Sequence, residues 1–398
     1  MTGKDDTIGR PSALLFSTLA YAGIASVGTG VMLNGVYFIT RDVFQFTDVR
    51  NLLLGLCVQA PYIPAALLAG PISRRIGARR LLTITLVGMT LACALLATLP
   101  PQWAWWLVVP CYNVFAGMQW PIVESYIASG RHGRDMRRAI GLFNITWAAT
   151  IAPGLWLISL VHAMPQVTFI VLAVIHGATF ALVSRWPLHP PMHDVETARN
   201  HTGQTYPNLL RAARTLLPMS YVLLYMLGPL LPGIFERLDV SAALAPTLGS
   251  TWIIARVGVF ALMYWFPAWQ GRWGILGGGA LLLISGTVIV LIAGSVWGAV
   301  LGLIMLGVGQ GMLYYAALYY GMAVEHAAVD SGGRHEAVIG LGYLLGPALG
   351  LLGGTLPIGG PTVTAGVLLM TGAVSIIGSS LATRFYFAAR RLRARPPE

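Results

Sequence analysis

Twelve long apolar stretches follow one another along the chain, each set off from the next by a polar or proline-bearing break. They cover residues 13–40, 50–71, 79–99, 103–128, 138–161, 166–185, 217–236, 244–267, 274–294, 297–324, 335–356 and 362–386. A helix of about 20 mainly apolar residues crosses a bilayer core. Each stretch therefore predicts one span, and the expected fold is an all-α membrane protein with twelve transmembrane helices. Some breaks are tiny, such as Pro100-Pro101 and the segment from Pro357 to Pro361. The longest runs over 186–216 and carries Pro187, Pro190, Pro191, His189, His193, Asp194 and Glu196. Such a stretch reads as a linker. It divides the spans six and six, giving an amino-terminal bundle over 1–185 and a carboxy-terminal bundle over 217–398.

The polar residues add a direction. All but four of the 25 Lys and Arg residues fall at every second junction: the two termini, the Arg74–Arg80 and Arg131–Arg138 loops, the linker, Arg272 and Arg334. Arg41, Arg50 and Arg237 lie at the alternate junctions, and Arg256 lies inside a span. Loops rich in Lys and Arg stay cytoplasmic, so both termini are expected inside. Lys4 is the sole lysine, which suggests a GC-rich bacterial genome and hence a bacterial cytoplasmic (inner) membrane. Charged residues make up 10% of the chain, against about 25% in soluble domains. The net charge of +11 is then explained by loops facing anionic lipid rather than by nucleic acid. Cys57, Cys93 and Cys111 all sit in apolar stretches and read as small buried residues.

The two halves share a faint repeat. Gly117-Met118 parallels Gly311-Met312, and Ala139-Ile140-Gly141-Leu142 parallels Val338-Ile339-Gly340-Leu341. Gly130-Arg131-His132 precedes one of these pairs and Gly333-Arg334-His335 the other, while Arg75-Ile76-Gly77 matches Arg272-Trp273-Gly274. The pairs keep their order at offsets near half the chain, as in duplicated membrane bundles. The run Gly70-Pro-Ile-Ser-Arg74-Arg75-Ile-Gly77-Ala-Arg79-Arg80 resembles the loop signature between the second and third helices of the major facilitator superfamily. Gly70, Arg75, Gly77, Arg79 and Arg80 match it; Arg74 stands where the family usually places Asp. Gly346-Pro347-Ala-Leu-Gly350 also looks like the family's Gly-Pro element, with Ile151-Ala-Pro153-Gly154 as its degenerate counterpart. The resemblance implies two pseudo-symmetric six-helix bundles around a central cavity, and transport by alternating access.

Ionisable and polar groups inside spans are the candidates for chemistry, because burying them is costly. Glu124 reads as the one intramembrane acid. It shares a helix face with Asn113, Gly117 and Trp120, and can act either as a proton carrier or as a gate partner for nearby bases such as Arg75 and Arg79. Arg256 lies near mid-span, with Gln59 at the comparable place in the second span. Its planar fork suits carboxylate or phosphate; the alternative is an interhelical bond to carbonyls or to Glu124. Asn34 and Tyr37, and Gln310 and Tyr314, are neighbours on their helices and complete the expected substrate-binding set. His176 reads as a packed histidine. Gly228-Pro229 and Pro232-Gly233 interrupt the seventh span as a hinge or a kink.

The chain shows no H-E-x-x-H, no G-x-S-x-G and no His/Cys cluster. No enzyme activity, metal or cofactor is expected. The reading is a secondary active transporter for a small organic solute, acting as a monomer in the lipid bilayer, with protons as a candidate coupling ion. Arg256 favours an anionic solute, while the aromatic residues equally serve a drug-like or sugar-like one. A multidrug-type efflux transporter for hydrophobic compounds and a non-transporting membrane sensor stay open as alternatives.

Overall fold

The computed structural model describes residues 13–128, 130–131, 133–190, 206–324, 329–356 and 364–393. These residues form twelve long helical segments and no strand. In chain order they are α1 (Ala13–Phe44), α2 (Asp48–Ile76) and α3 (Ala78–Ala97), α4 (Gln102–Ala128) and α5 (Gly133–Leu160), and α6 (Pro165–Val183), α7 (Tyr206–Arg237), α8 (Ala245–Trp265) and α9 (Gly274–Leu291). The last three are α10 (Val296–Val324), α11 (Val329–Thr355) and α12 (Thr364–Arg393). Eleven segments are long and apolar enough to cross a membrane. The other, α4, is diluted by Asn113, Gln119, Glu124 and four tryptophans. Gln119, Trp120 and Glu124 are tolerated because every residue from Gln119 to Ala128 is buried: α4 packs among α2, α3 and α11 and meets protein rather than lipid over that stretch.

Within the first six helices, α1 packs on α5, α3 on α6 and α4 on α2 and α3; within the last six, α9 packs on α10, α7 on α11 and α12, and α8 on α10. The chain is thus an integral multi-pass membrane protein of two six-helix bundles. The bundles meet where α2 and α4 lie against α11 and where α5 lies against α8. Three helix starts lie well ahead of the sequence reading, one of them α5, at Gly133 rather than 138. Helix α7 begins at Tyr206 rather than 217, because Leu209, Leu210, Ala212, Ala213 and Leu216 bury one face of the extra turns. Helix α11 begins at Val329 rather than 335, which places Glu336 inside a helix instead of at its edge. Residues 191–205 of the expected linker and Pro357–Pro361 lie outside the described residues. Pro187 and Leu188 are tied to the first bundle: the Tyr126 hydroxyl donates to the Pro187 carbonyl at 2.6 Å and the Arg79 amide to that of Leu188 at 3.1 Å.

Two helices break where they approach the centre. Helix α1 carries a π-helical turn over Gly30–Gly35, a feature often found at functional sites. A Cβ on Gly30 would lie 2.2 Å from the Ile151 carbonyl oxygen, so only glycine lets α1 and α5 touch there. Asn34 Nδ2 donates to the Thr29 carbonyl at 3.1 Å, filling an acceptor that the widened turn loosens. Helix α7 tightens to a 3-10 turn at Gly228–Leu230. Asn51 Nδ2 reaches across from α2 to the freed Pro229 carbonyl, so this interruption is held by the facing bundle.

Both ends of the contact between the bundles are closed. At the end holding Asp48 and Arg237, Arg41 Nη1 bonds Asp48 at 3.1 Å, Arg237 lies 3.6 Å from the same carboxylate, and Arg41 Nε donates to Glu236 at 2.8 Å. Trp156 Nε1 also donates to Ser250 at 3.0 Å. At the opposite, base-rich end, α11 crosses α2 and α4 so closely that a Cβ on Gly333 would lie 2.8 Å from the Ala66 carbonyl oxygen.

Candidate functional site

Between the closed ends lies a cavity of about 40 Å³, room for a few waters. Its wall is largely aromatic, and among the described residues one base and two acids line it: Arg256, Glu124 and Glu336.

Arg256 is set by the periodicity of α8. Trp252, Arg256 and Phe260 are four residues apart and share one face. The guanidinium carbon lies 4.6 Å from the Trp252 ring and 5.8 Å from that of Phe260; Trp147 of α5 covers it from the other bundle at 4.5 Å. Each ring face offers a cation–π contact worth about 0.5–2 kcal/mol. Nη1 donates to Gln310 Oε1 at 3.3 Å, whereas Nε and Nη2 have no hydrogen-bond partner although the side chain is only 2% exposed. An arginine this deep stays protonated. The aromatic faces compensate its charge but cannot accept its remaining hydrogens in plane. The arrangement is a donor pair held ready at the cavity wall.

The second charged place joins the two bundles. Glu124 of α4 and Glu336 of α11 are both buried, and a ligand oxygen of each, with a ring nitrogen of His335, lies within 4.8 Å of the others. The Tyr62 hydroxyl donates to Glu336, while Glu124 Oε2 meets no N–H donor and faces the Glu336 carboxyl. The crowding is possible because Gly332 passes over this spot, where a Cβ would come within 3.0 Å of Glu124 Oε2 and 3.1 Å of Pro121. Tyr314 stands between the two places. Its ring centroid is 5.2 Å from that of Trp147 and 5.9 Å from that of His335.

The structure brings several expected site residues together. Arg256, Asn34 and Tyr314 line the cavity, and Gln310 stands behind them as the acceptor for Arg256. Gln59 and Tyr37 are buried but lie outside the lining. Gln59 Oε1 accepts from Asn113 at 3.0 Å, and the Tyr37 hydroxyl abuts Gly55. The alternative partners considered for Arg256, main-chain carbonyls or Glu124, are replaced by Gln310 and aromatic faces. Glu124 does not pair with the nearby bases either. Arg79 Nη1 donates to the Trp186 carbonyl at 2.9 Å, Arg75 is exposed, and Arg131 donates to the carbonyls of Tyr126 and Ile127. Nor is Glu124 the one intramembrane acid: Glu336 faces it, because α11 starts six residues earlier than the hydropathy pattern places it. A set of three possible cation ligands therefore exists that no sequence spacing reveals. His176 lies elsewhere, buried, with the Tyr112 hydroxyl 3.1 Å from Nε2. Missed altogether were Glu336, His335, Tyr62, Trp252 and Tyr343. The signal for Glu336 was the small pair Gly332-Gly333 just before it, which permits close helix crossing.

A family model described as the Major Facilitator Superfamily matches residues 14–334. Among solved structures, a bacterial homolog of the human lysosomal transporter Spinster, in an inward-facing and unoccupied conformation, superposes with a TM-score of 0.66 at 13% identity, covering 98% of this chain and 99% of that one. A variant of the nucleoside transporter NupG gives a TM-score of 0.64 at 15% identity over 94% and 99% of the two chains. The human organic anion transporter MFSD10 (TETRAN) gives 0.60 at 14% over 94% and 96%. At such identities the likeness is one of fold.

Proposed function

From the premise that this chain belongs to the major facilitator superfamily, we propose that it is a secondary transporter for a small organic solute with an anionic group, which Arg256 binds. The observation that carries this reading is the pair of unfilled donors, Nε and Nη2, on a buried guanidinium in the cavity wall. A carboxylate supplies two in-plane acceptors and matches that fork. The flanking Trp147 and Trp252 rings favour a flat apolar body next to the anion. The build of the contact supports alternating access: ion pairs close one end, the Glu124–Glu336 crossing closes the other, and the cavity between them grows to solute size as one end parts. The protein works as a monomer in a bacterial cytoplasmic membrane with the base-rich end and both termini inside, in keeping with the loop charges. No bond-making reaction enters this reading.

Proton movement couples through the carboxylate pair. Two buried carboxylates this close do not both ionise without a compensating cation, and a shared proton removes their repulsion. Tyr62, His335, Tyr314, Tyr221, Tyr225 and Tyr343 are the other titratable groups around the pair. Because Glu124 and Glu336 belong to different bundles, loss of that proton drives α4 and α11 apart and opens the base-rich end. The test is uptake of radiolabelled benzoate into proteoliposomes with and without an imposed pH gradient. Gradient-dependent uptake that Arg256→Gln abolishes is expected. Uptake by folded Arg256→Gln equal to wild type would remove Arg256 from the solute path.

A further inference from the structure

The two charged places look into one cavity, and each keeps atoms unfilled. At one, Nε and Nη2 of Arg256 are donors without acceptors; at the other, Oε2 of Glu124 meets no N–H donor and has only the Glu336 carboxyl beside it. Both side chains are 2% exposed, so bulk water does not fill the missing bonds, and an unfilled buried polar atom is costly. They do not fill each other. Arg256 spends its one hydrogen bond on Gln310, and Glu336 accepts from Tyr62. The wanted groups are opposite in kind: an acceptor anion at Arg256 and a cationic donor at Glu124.

We propose that the cavity binds a solute charged at both ends, with a carboxylate on Arg256, a flat apolar body among the aromatic rings and a protonated amine on Glu124 and Glu336. This rests on the reading of Arg256 as the anion site and adds the second end. Tyr314 sets the spacing. Its ring lies between Trp147, which covers Arg256, and His335, which adjoins the carboxylates. The solute's charges must therefore be separated by at least the breadth of a ring. An α-amino acid, whose two charges are adjacent, reaches only one end.

The experiment measures the affinity of the purified full-length protein, in buffer containing EDTA, for benzoate, benzylamine and 4-(aminomethyl)benzoate. The expected result is that 4-(aminomethyl)benzoate binds at least tenfold tighter than benzoate in wild type, and that the ratio falls to near one in Glu124→Gln. Equal binding of the two carboxylates in wild type overturns the proposal; if Arg256→Gln then weakens both, the anion site survives without the second end. A ratio that persists in folded Glu124→Gln places the amine elsewhere and also overturns it. Benzylamine binding without benzoate binding, or no binding of any probe, overturns the anion site and this proposal together. If the gain appears only when Zn2+ replaces EDTA, the Glu124–His335–Glu336 cluster holds a metal and the amine end is lost.

Discussion

The two charged places in the interior are built in opposite ways. Arg256 is a fixed charge: its guanidinium does not release its proton, and Trp147, Trp252 and Phe260 surround it with ring faces rather than with a counter-ion. Glu124 and Glu336 are an adjustable charge, since a single proton between them decides whether α4 and α11 attract or repel. An acceptor from the cavity, an anion or an ordered water, completes the first place; a proton or a cationic donor completes the second. On the proposed function, recognition falls to Arg256 and coupling to the carboxylates.

The largest effect should come from removing the adjustable charge. The double variant Glu124→Gln/Glu336→Gln has nothing to titrate at the crossing, so solute flux measured in proteoliposomes should lose its response to a pH gradient. Flux that still follows the gradient would move coupling to another group. Next comes the crossing itself. In Gly333→Leu the new Cβ meets the Ala66 carbonyl 2.8 Å away, a backbone atom that cannot swing aside. Overpacking of this kind costs about 1–3 kcal/mol, and the thermal midpoint should fall or labelling should show the base-rich end held open. A midpoint and labelling pattern equal to wild type would mean that the helices do not meet there.

Trp147→Ala removes one of the rings over Arg256 and should weaken anion binding by about 0.5–2 kcal/mol, severalfold in affinity. If affinity is untouched, the ring is wall and not support. The smallest effect belongs to the far end. Arg41 is 27% exposed and Glu236 64%, and pairs this wet contribute about 0.2–1 kcal/mol. Arg41→Ala should shift the balance toward opening at that end by a fewfold at most, and high salt should imitate it. A large loss of stability would show that the cluster does more than close a mouth.

Much of this was legible in the sequence, for a physical reason. Lipid demands unbroken apolar helices, so span number and loop polarity are written in hydropathy and in Lys and Arg positions. Arg256 stood out because a lone cation in an apolar run has no cheap structural explanation. Glu336 did not, because His335 and Glu336 end a polar loop in the sequence, and only the packing of Gly332 and Gly333 against α4 and α2 continues the helix through it. Its meeting with Glu124 joins positions far apart in the chain, which no local pattern encodes. Asn34 and Tyr37 were expected on one face, but the π turn at Gly30–Gly35 widens the helix between them and leaves Tyr37 outside the lining. Trp252 was hidden by chemistry, since an aromatic residue in a span reads equally as packing or as a cation's cover. The weak hydropathy of α4 was a signal in itself: its polar residues mark a helix that faces protein.

The central claim is that the unfilled donors of Arg256 bind the solute's anion. The most direct measurement takes benzoate affinity and melting temperature on the same purified samples of wild type, Arg256→Lys and Arg256→Gln. Lysine keeps the charge and loses the paired donors, so its affinity should fall by about 1.5–3 kcal/mol, tenfold or more; glutamine should fall further, and both should melt within a few degrees of wild type. Unchanged affinity in well-folded Arg256→Gln, or a collapse of melting temperature with normal binding by the protein that remains folded, would contradict the account and make Arg256 a structural residue.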